Sequence, residues 1–319
     1  MIEAPVRSVD VTLLVCTFNR SADLRELLET ALAQETDGTF TYEVLVVDNN
    51  STDDTRKAVK DLIARGHQAL QYIFEGRQGK SYALNTGLAA ARGSIYAIVD
   101  DDFILPRDWV QRIWDAFRAH PDASFVSGKV LPLWQAEAPA WMGPDHWSAL
   151  ALADYGDEPF WTDRSNQICL LACSFRRADV EAVGGYRAGL GVSQDLIGGV
   201  EDLEILQRLW KAGRKGIYVP GMSFHHKVPA NRATKRYHRR WHTGHGRFYA
   251  RLRDPDFERS KGRLFDVPVH MFRTAARDAL GWVAWKLRGR ERESFACEAR
   301  LCFFAGFLRE RRQSRSRPS

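Results

Sequence analysis

The stretch that most constrains the fold is Ser94–Pro106, SIYAIVDDDFILP. Ile95 to Val99 is apolar apart from one tyrosine hydroxyl, and Asp100, Asp101 and Asp102 follow without a spacer. A short run rich in Ile and Val reads as a strand buried on both faces, as in a parallel sheet between helical layers. The triplet then stands at the strand's carboxyl end, where open α/β sheets place their ligands. Three adjacent anions repel one another, so an ordered cluster needs a cation or cationic side chains beside it. Residues two apart in an extended segment share a face, which directs Asp100 and Asp102 the same way. A solvated acidic turn is the plainer use of such a triplet. The apolar strand before it and the neighbouring motifs argue against that use.

Three more apolar runs precede this one, each followed by a helical pattern. Val11–Cys16 leads into Thr17-Phe18-Asn19-Arg20 and then into leucines at helical spacing, with Ser21 placed to cap the helix. Val44–Val47 ends at Asp48-Asn49-Asn50. Ser51 or Thr52 can cap the next helix, with Asp53 and Asp54 in its first turn. Ala69–Phe74 leads through Gly76-Arg77-Gln78-Gly79-Lys80 into the helical stretch Ser81–Ala91. Strand–helix–strand repeated three times predicts a parallel sheet with helical crossovers. Two nucleotide folds are excluded at once. Gly79-Lys80-Ser81 looks like the end of a Walker A loop, but Phe74 stands where its first glycine is needed, and no G-x-G-x-x-G follows the first strand. Acidic residues at the ends of successive strands suit another nucleotide site. Asp48 can accept hydrogen bonds from a base or ribose, and a carboxylate pair two strands on can hold Mg²⁺ or Mn²⁺ against a diphosphate.

TFNR after the first strand, VVDNNSTDDT after the second, GKSYALNTGL in the third crossover and the DDD triplet together resemble the family 2 glycosyltransferases of GT-A fold. That resemblance implies an α/β GT-A fold, with a mostly parallel central sheet flanked by helices. It implies base contact by Asp48 and a DxD motif, formed by Asp100 and Asp102, for ribose and metal–diphosphate. Thr17, Asn19, Arg20, Lys80 and Asp101 join Asp48 and Asp100 as nucleotide-sugar contacts on the same ground. Further on, LLACSFRRADVEAVGGYRAGLG and the Glu201-Asp202 pair resemble the acceptor-side segment of the family, with Arg208 at the expected spacing. Asp202 is then the catalytic base, with Glu201 beside it, although an acidic pair at a helix start also serves the helix dipole. In GMSFHHKVP, the resemblance implies a histidine as third metal ligand; His226 fits best and His225 adjoins it.

The remaining stretches are less specific. Leu133–Pro159 scatters Trp134, Trp141, Trp147 and Tyr155 among prolines and glycines, which suits core cover better than sugar stacking. Residues 232–253 are basic and aromatic, with His238, His242 and His245 on one helical face. That segment is expected to set cations around a diphosphate rather than to bind a second metal. Residues 261–319 hold fourteen Lys/Arg against six Asp/Glu, so the tail is +8 in a chain of net +6 and the rest is −2. This basic character suggests an anionic surface, such as a membrane, as a partner of the tail. Its longest apolar stretch, Leu301–Leu308, is far short of the roughly 20 residues that span a bilayer. The last residues, RERRQSRSRPS, read as disordered. The N-terminal stretch holds no h-region of a signal peptide, and five cysteines form no CxxC pair, so a cytoplasmic, disulfide-free protein is expected, peripheral on the inner membrane face if the tail binds lipid.

The expected organisation is a catalytic domain at 1–260, divided into a nucleotide half (9–130) and an acceptor half (131–260), with a helical basic tail at 261–319. The expected activity is inverting, Mn²⁺- or Mg²⁺-dependent transfer from a nucleotide diphosphate sugar, UDP before GDP or dTDP. The acceptor is a hydroxyl of a free or lipid-linked saccharide, in cell-surface or exopolysaccharide synthesis. A silent sugar-nucleotide-binding relative is disfavoured by the intact acidic residues. A nucleic-acid binder acting through the tail leaves the acidic clusters unexplained, so no nucleic-acid partner is expected.

Overall fold

The computed structural model describes residues 9–193, 196–255, 257–260 and 262–315. The apolar runs become strands β1 (Val11–Thr17), β2 (Tyr42–Asp48), β3 (Leu70–Phe74) and β4 (Ile95–Asp100). Helices α1 (Ser21–Leu32), α2 (Thr55–Ala64) and α3 (Lys80–Ala90) are the crossovers between them. Next come β5 (Phe103–Ile104), α4 (Trp109–Ala119), β6 (Phe125–Ser127) and β7 (Val130–Trp134). They are followed by β8 (Phe160–Thr162), β9 (Ser174–Arg176), α5 (Arg177–Ala182), α6 (Glu201–Lys211), β10 (Gly216–Tyr218) and β11 (Phe224–Val228).

The main sheet has eight strands in the order β3-β2-β1-β4-β9-β6-β10-β8, and β5, β11 and β7 form a second sheet. The pairs β1–β2, β1–β4 and β2–β3 are parallel, as the strand–helix alternation predicts. Beyond β4 the sheet is mixed, because β9 runs antiparallel to both β4 and β6. The chain goes from β1 to β2 on one side and returns to β4 on the other. This reversal opens a crevice at the strands' carboxyl ends. The register levels those ends, with Thr17 opposite Asp48 and Cys16 opposite Asp100.

The expected caps at Ser21 and at Ser51 or Thr52 do not form. Asp53 does both jobs, accepting from the Ser21 amide at 3.0 Å and from the Thr55 amide and hydroxyl at 3.0 and 2.6 Å. One carboxylate thus satisfies orphan donors at the starts of α1 and α2, and a carboxylate complements the positive end of each helix.

The chain packs as two compact units. The first comprises residues up to Leu133, Leu152–Ala188 and Asp202–Lys227. Its core sets Leu14, Val47 and Ile98 of the sheet with Leu84 of α3 and Ile205 and Leu209 of α6, all buried. Full burial of such side chains is worth about 1.5–3 kcal/mol each.

The second unit comprises Trp134–Ala151, Gly189–Glu201 and the chain from Val228 onward. It contains α7 (Lys235–Leu252), α8 (Val269–Leu287) and α9 (Glu291–Arg315). Helices α7 and α9 meet at two glycines: a Cβ on Gly246 would lie 2.0 Å from the Phe303 carbonyl oxygen, and one on Gly306 would lie 1.9 Å from that of Thr243. Only residues without side chains allow backbones so close.

Three expectations are corrected in this unit. Three of the α7 cations are not left for a diphosphate: Arg239 pairs with Glu298 at 2.7 Å, and Arg247 and Arg251 share Glu310 at 2.7 and 2.9 Å. Burial holds His238 and His245 at about 4 and His242 at about 3, so all three are neutral near pH 7. The expected disorder of residues 309–319 is overturned for 309–315, which are the last turns of α9; 316–319 lie outside the described residues. The core-cover reading holds for Trp141, which is buried with its ring 4.7 Å from that of Phe295 and 5.2 Å from that of His238. None of the five cysteines is in a disulfide.

Candidate active site

The crevice between the ends of β1 and β4 collects most of the sequence-predicted residues. Strand β4 stops at Asp100, and Asp101 and Asp102 form a turn, so the alternation of an extended strand does not run through the triplet. Two cations serve the three carboxylates. Lys80, at the start of α3, reaches Asp100 at 2.9 Å. Arg20, after β1, reaches Asp101 at 2.6 Å and Asp102 at 2.9 Å, and also Asp23 at 3.0 Å. Thr17 donates its hydroxyl to Asp101 at 2.8 Å. Burial works against the Arg20 guanidinium, but Asp101, Asp102 and Asp23 outweigh it and hold its pKa above the ordinary arginine value. Burial also pushes the Asp101 carboxyl up, to about 7, against the pull of Arg20. The repulsion expected of three adjacent anions is met by side chains of the chain itself.

His226, on β11, places Nε2 3.0 Å from the other oxygen of Asp102, and both residues are buried. The following residue, Lys227, donates its amide to the Asp102 carbonyl at 3.0 Å and its ammonium to Asp23 and Glu26 at 2.8 Å each. His225 is exposed on the same strand, so burial and contact with the triplet both single out His226. Asp102 and His226 are therefore together, while Asp100 faces Lys80. Two carboxylates and an imidazole are donors suited to Mn²⁺ or Mg²⁺. Among the described residues no three His, Cys, Asp or Glu side chains already converge closely enough to enclose an ion.

Asp48 ends β2 and is buried. Its oxygens accept from the Ser51 amide at 2.9 Å and from the Tyr72 hydroxyl at 2.8 Å. Asn19 has a left-handed φ of 52° and bridges the loops after β1 and β2, accepting from the Thr52 amide at 2.7 Å. Asn49, not among the residues expected at the site, is buried and anchors the Gly76–Lys80 loop. It donates to the Arg77 carbonyl at 2.7 Å and accepts from the Gly79 amide at 2.8 Å. This holds Lys80 where it meets Asp100. Replacing Asn49 by Ala leaves the buried Gly79 amide without its acceptor, so unfolding free energy should fall by about 1–3 kcal/mol in urea titration.

Asp202 lies at the start of α6, about a hundred residues from the triplet in sequence. Burial raises its carboxyl pKa; Lys80 opposes the rise and Asp100 adds to it, so the fold has brought Asp202 into electrostatic reach of the Lys80–Asp100 pair. Glu201 is buried, whereas Asp202 is half-buried; the Glu201 side chain folds back over its own turn, where a Cβ on Gly199 would lie 2.3 Å from Oε2. Arg208 does not join the triplet. It pairs with Glu204 at 2.7 Å and donates to the carbonyls of Val183 and Gly185. Asn85 of the GKSYALNTGL motif braces the same turn, bonding the Tyr186 carbonyl at 2.7 Å and its amide at 2.8 Å.

Residues 12–145, which include β1, β2, β4 and the whole triplet, match the family described as glycosyl transferase family 2. Over those residues the chain is similar to that family. Two curated relatives extend the likeness beyond those residues. The glucosyl-dolichyl phosphate glucuronosyltransferase of Haloferax volcanii is 27% identical over 230 residues, 68% of this chain and 69% of the relative. The succinoglycan biosynthesis protein ExoM of Rhizobium meliloti is 27% identical over 251 residues, 77% of each. Among solved structures, the mannosyltransferase PcManGT from Pyrobaculum calidifontis, in complex with GDP-Man and Mn²⁺, superposes with a TM-score of 0.58 at 20% identity. That alignment covers 93% of this chain and 88% of the other. S. aureus TarS 1-349 in complex with UDP gives a TM-score of 0.55 at 15% identity, covering 96% and 91%. The fold is GT-A, and the likeness in sequence is to glycosyltransferases.

Proposed function

We propose that the chain transfers a sugar from UDP to a saccharide hydroxyl with inversion at the anomeric carbon, in the assembly of a cell-surface or exported polysaccharide. The acceptor is a free or lipid-linked saccharide. The observation that carries the chemistry is the Lys80–Asp100 pair at the carboxyl end of β4, whose charges act on the half-buried Asp202 at the start of α6. Asp202 takes the proton of the acceptor hydroxyl. The acceptor oxygen then forms its bond to the anomeric carbon as the carbon–oxygen bond to the diphosphate breaks, and the nucleotide diphosphate departs with that electron pair. Lys80 and Arg20 offer positive charge where negative charge builds on the leaving group. Asp48 faces the base, and Thr17 and Asn19 shape the loops around it.

Asp100, Asp102 and His226 are the residues that would hold a divalent cation, Mn²⁺ or Mg²⁺. Such an ion, when bound, offsets diphosphate charge as a Lewis acid. The mannosyltransferase solved with GDP-Man and Mn²⁺ supports metal use, and TarS solved with UDP supports the donor nucleotide. The likeness to a succinoglycan biosynthesis protein and to a transferase acting on a dolichyl-linked sugar supports the acceptor class.

Calorimetric titration of UDP into the chelator-treated protein, with and without Mn²⁺, tests the metal reading. Affinity should rise at least tenfold with the ion, and Asp102→Asn should lose most of that gain. Equal affinity in the two arms would sink the metal assignment. Thermal-shift comparison of UDP, GDP and dTDP sugars tests the nucleotide: the bound donor at about 100 times its dissociation constant stabilises by about 2.7 kcal/mol.

A further inference from the structure

Most of the apolar residues in the C-terminal hairpin are used internally. Phe295 and Phe307 are buried, and Met271, Val267 and Phe307 pack in one cluster with Ala250 of α7. The outer face of α8 is different. Leu280 is 75%, Val283 47% and Leu287 83% exposed, at spacings of three and four residues. Ala276 and Ala284, also exposed, fall on the same stripe. It is a continuous apolar strip about three turns long, rather than scattered surface leucines.

The exposed charges on this helix and at its end have one sign. Arg273, Arg277, Lys286 and Arg288 are exposed on or just beyond α8. The helix's one acidic residue, Asp278, faces the other way: it is buried, with Arg300 donating to it at 2.8 and 3.0 Å. The cations near the strip are therefore not neutralised from within α8. Two of them lie over tryptophan faces, Lys286 over Trp282 at 5.1 Å and Arg288 over Trp285 at 5.4 Å. No helix among the described residues is long and apolar enough to cross a membrane.

We propose that the outer face of α8 docks on an anionic lipid bilayer, lying in the plane of the headgroups. Leucine and valine side chains enter the acyl boundary while Arg273, Arg277, Lys286 and Arg288 meet phosphate and carboxylate headgroups. A water-soluble polyanion would satisfy the cations but would leave the apolar strip in water. A protein partner with a matching acidic rim is the competing occupant, and the experiment separates it.

The test is flotation of the full chain with vesicles of phosphatidylcholine alone or with 30% phosphatidylglycerol, at low and high salt, beside its mass in solution. The full chain should float with the anionic vesicles at low salt and fall back at least fivefold at high salt or on neutral vesicles. Leu280→Ser/Val283→Ser/Leu287→Ser should abolish flotation without loss of helix content, since these side chains are exposed. Arg277→Gln and Arg288→Gln should each weaken vesicle binding about fivefold, the equivalent of about 1 kcal/mol per cation near the surface. The proposal is overturned if the wild type stays at the bottom with anionic vesicles, or if the triple serine variant floats as well as the wild type. It is equally overturned if the wild type is a dimer that the serine substitutions dissociate, because the strip is then covered by a second copy.

Discussion

Asp202→Asn should reduce turnover by roughly 10²–10⁴ while leaving donor affinity within about twofold, the signature of losing a positioned proton acceptor. The change is nearly isosteric, so packing at the start of α6 is kept. Glu201→Gln should cost far less, because Glu201 folds over its own turn while Asp202 feels the charges of Lys80 and Asp100. Single-turnover rates with a fluorescent acceptor, beside calorimetric UDP titrations, separate chemistry from binding. If Glu201→Gln is the inactive variant and Asp202→Asn retains turnover, the proton goes elsewhere.

The same residue sets a pH dependence. Burial raises the Asp202 carboxyl above the ordinary aspartate value, with Asp100 adding and Lys80 opposing. The base acts in its ionised form, so activity is present above that raised pKa and lost as pH falls through it. The acid limb of kcat should therefore lie above about pH 4, where an unperturbed aspartate titrates. Asp202→Asn should flatten that limb along with the rate. A wild-type profile level down to pH 4 would show that the Asp202 carboxyl is not the group being titrated in the reaction.

The first half of the chain was legible because its strands are short Val/Ile/Leu runs ending at abrupt polar motifs. Val11–Cys16 and Ile95–Val99 each announce a buried parallel strand, and the level register of Thr17, Asp48 and Asp100 follows from that alternation. Antiparallel β9 was not legible. Ser174–Arg176 is three residues long, and nothing local to it specifies insertion between β4 and β6. The acidic triplet could be read, but not the partners that neutralise it. Arg20 meets Asp101 across 81 residues, and no periodic pattern carries that pairing. Asn49 was missed for a related reason: its bonds are to backbone atoms of Arg77 and Gly79, which leave no trace in side-chain type. Similarly, the basic residues of α7 looked like a phosphate site because their partners Glu298 and Glu310 lie some 60 residues away. Gly246 and Gly306 signalled nothing alone, and only the crossing of α7 and α9 shows why each must lack a side chain.

The second large effect is expected in the helical unit, which should lose stability sharply in mild acid. His146 and His238 are buried with no hydrogen-bond partner on either ring nitrogen, and the His242 Nε2 is likewise without one. His245 is tied only through Nδ1, which donates to the Gly198 carbonyl at 2.8 Å. Asp145 comes within 3.5 Å of His146, yet Arg292 already donates to that carboxylate. Lys235 and Arg239 stand over the Phe295 ring beside them, so further positive charge is repelled. Burial lowers the folded values to about 4 for His238 and His245 and about 3 for His242, from an ordinary 6.5. The unfolded chain binds these protons first. Stability is thus fully present above pH 6.5 and is lost as pH falls towards 4, at about 1.4 kcal/mol per pH unit for each histidine. Between pH 7 and 5 the combined loss is several kcal/mol, large against a whole-domain stability of about 5–15 kcal/mol. Urea unfolding followed by far-UV circular dichroism at half-unit pH steps measures it. His238→Phe keeps an aromatic ring between Trp141 and Phe295 while removing one titrating group, so its stability should fall about a third less steeply with pH. Unfolding free energies that do not change between pH 7 and 5 would mean that the histidines are protonated without cost, and that the unit provides them with partners in solution.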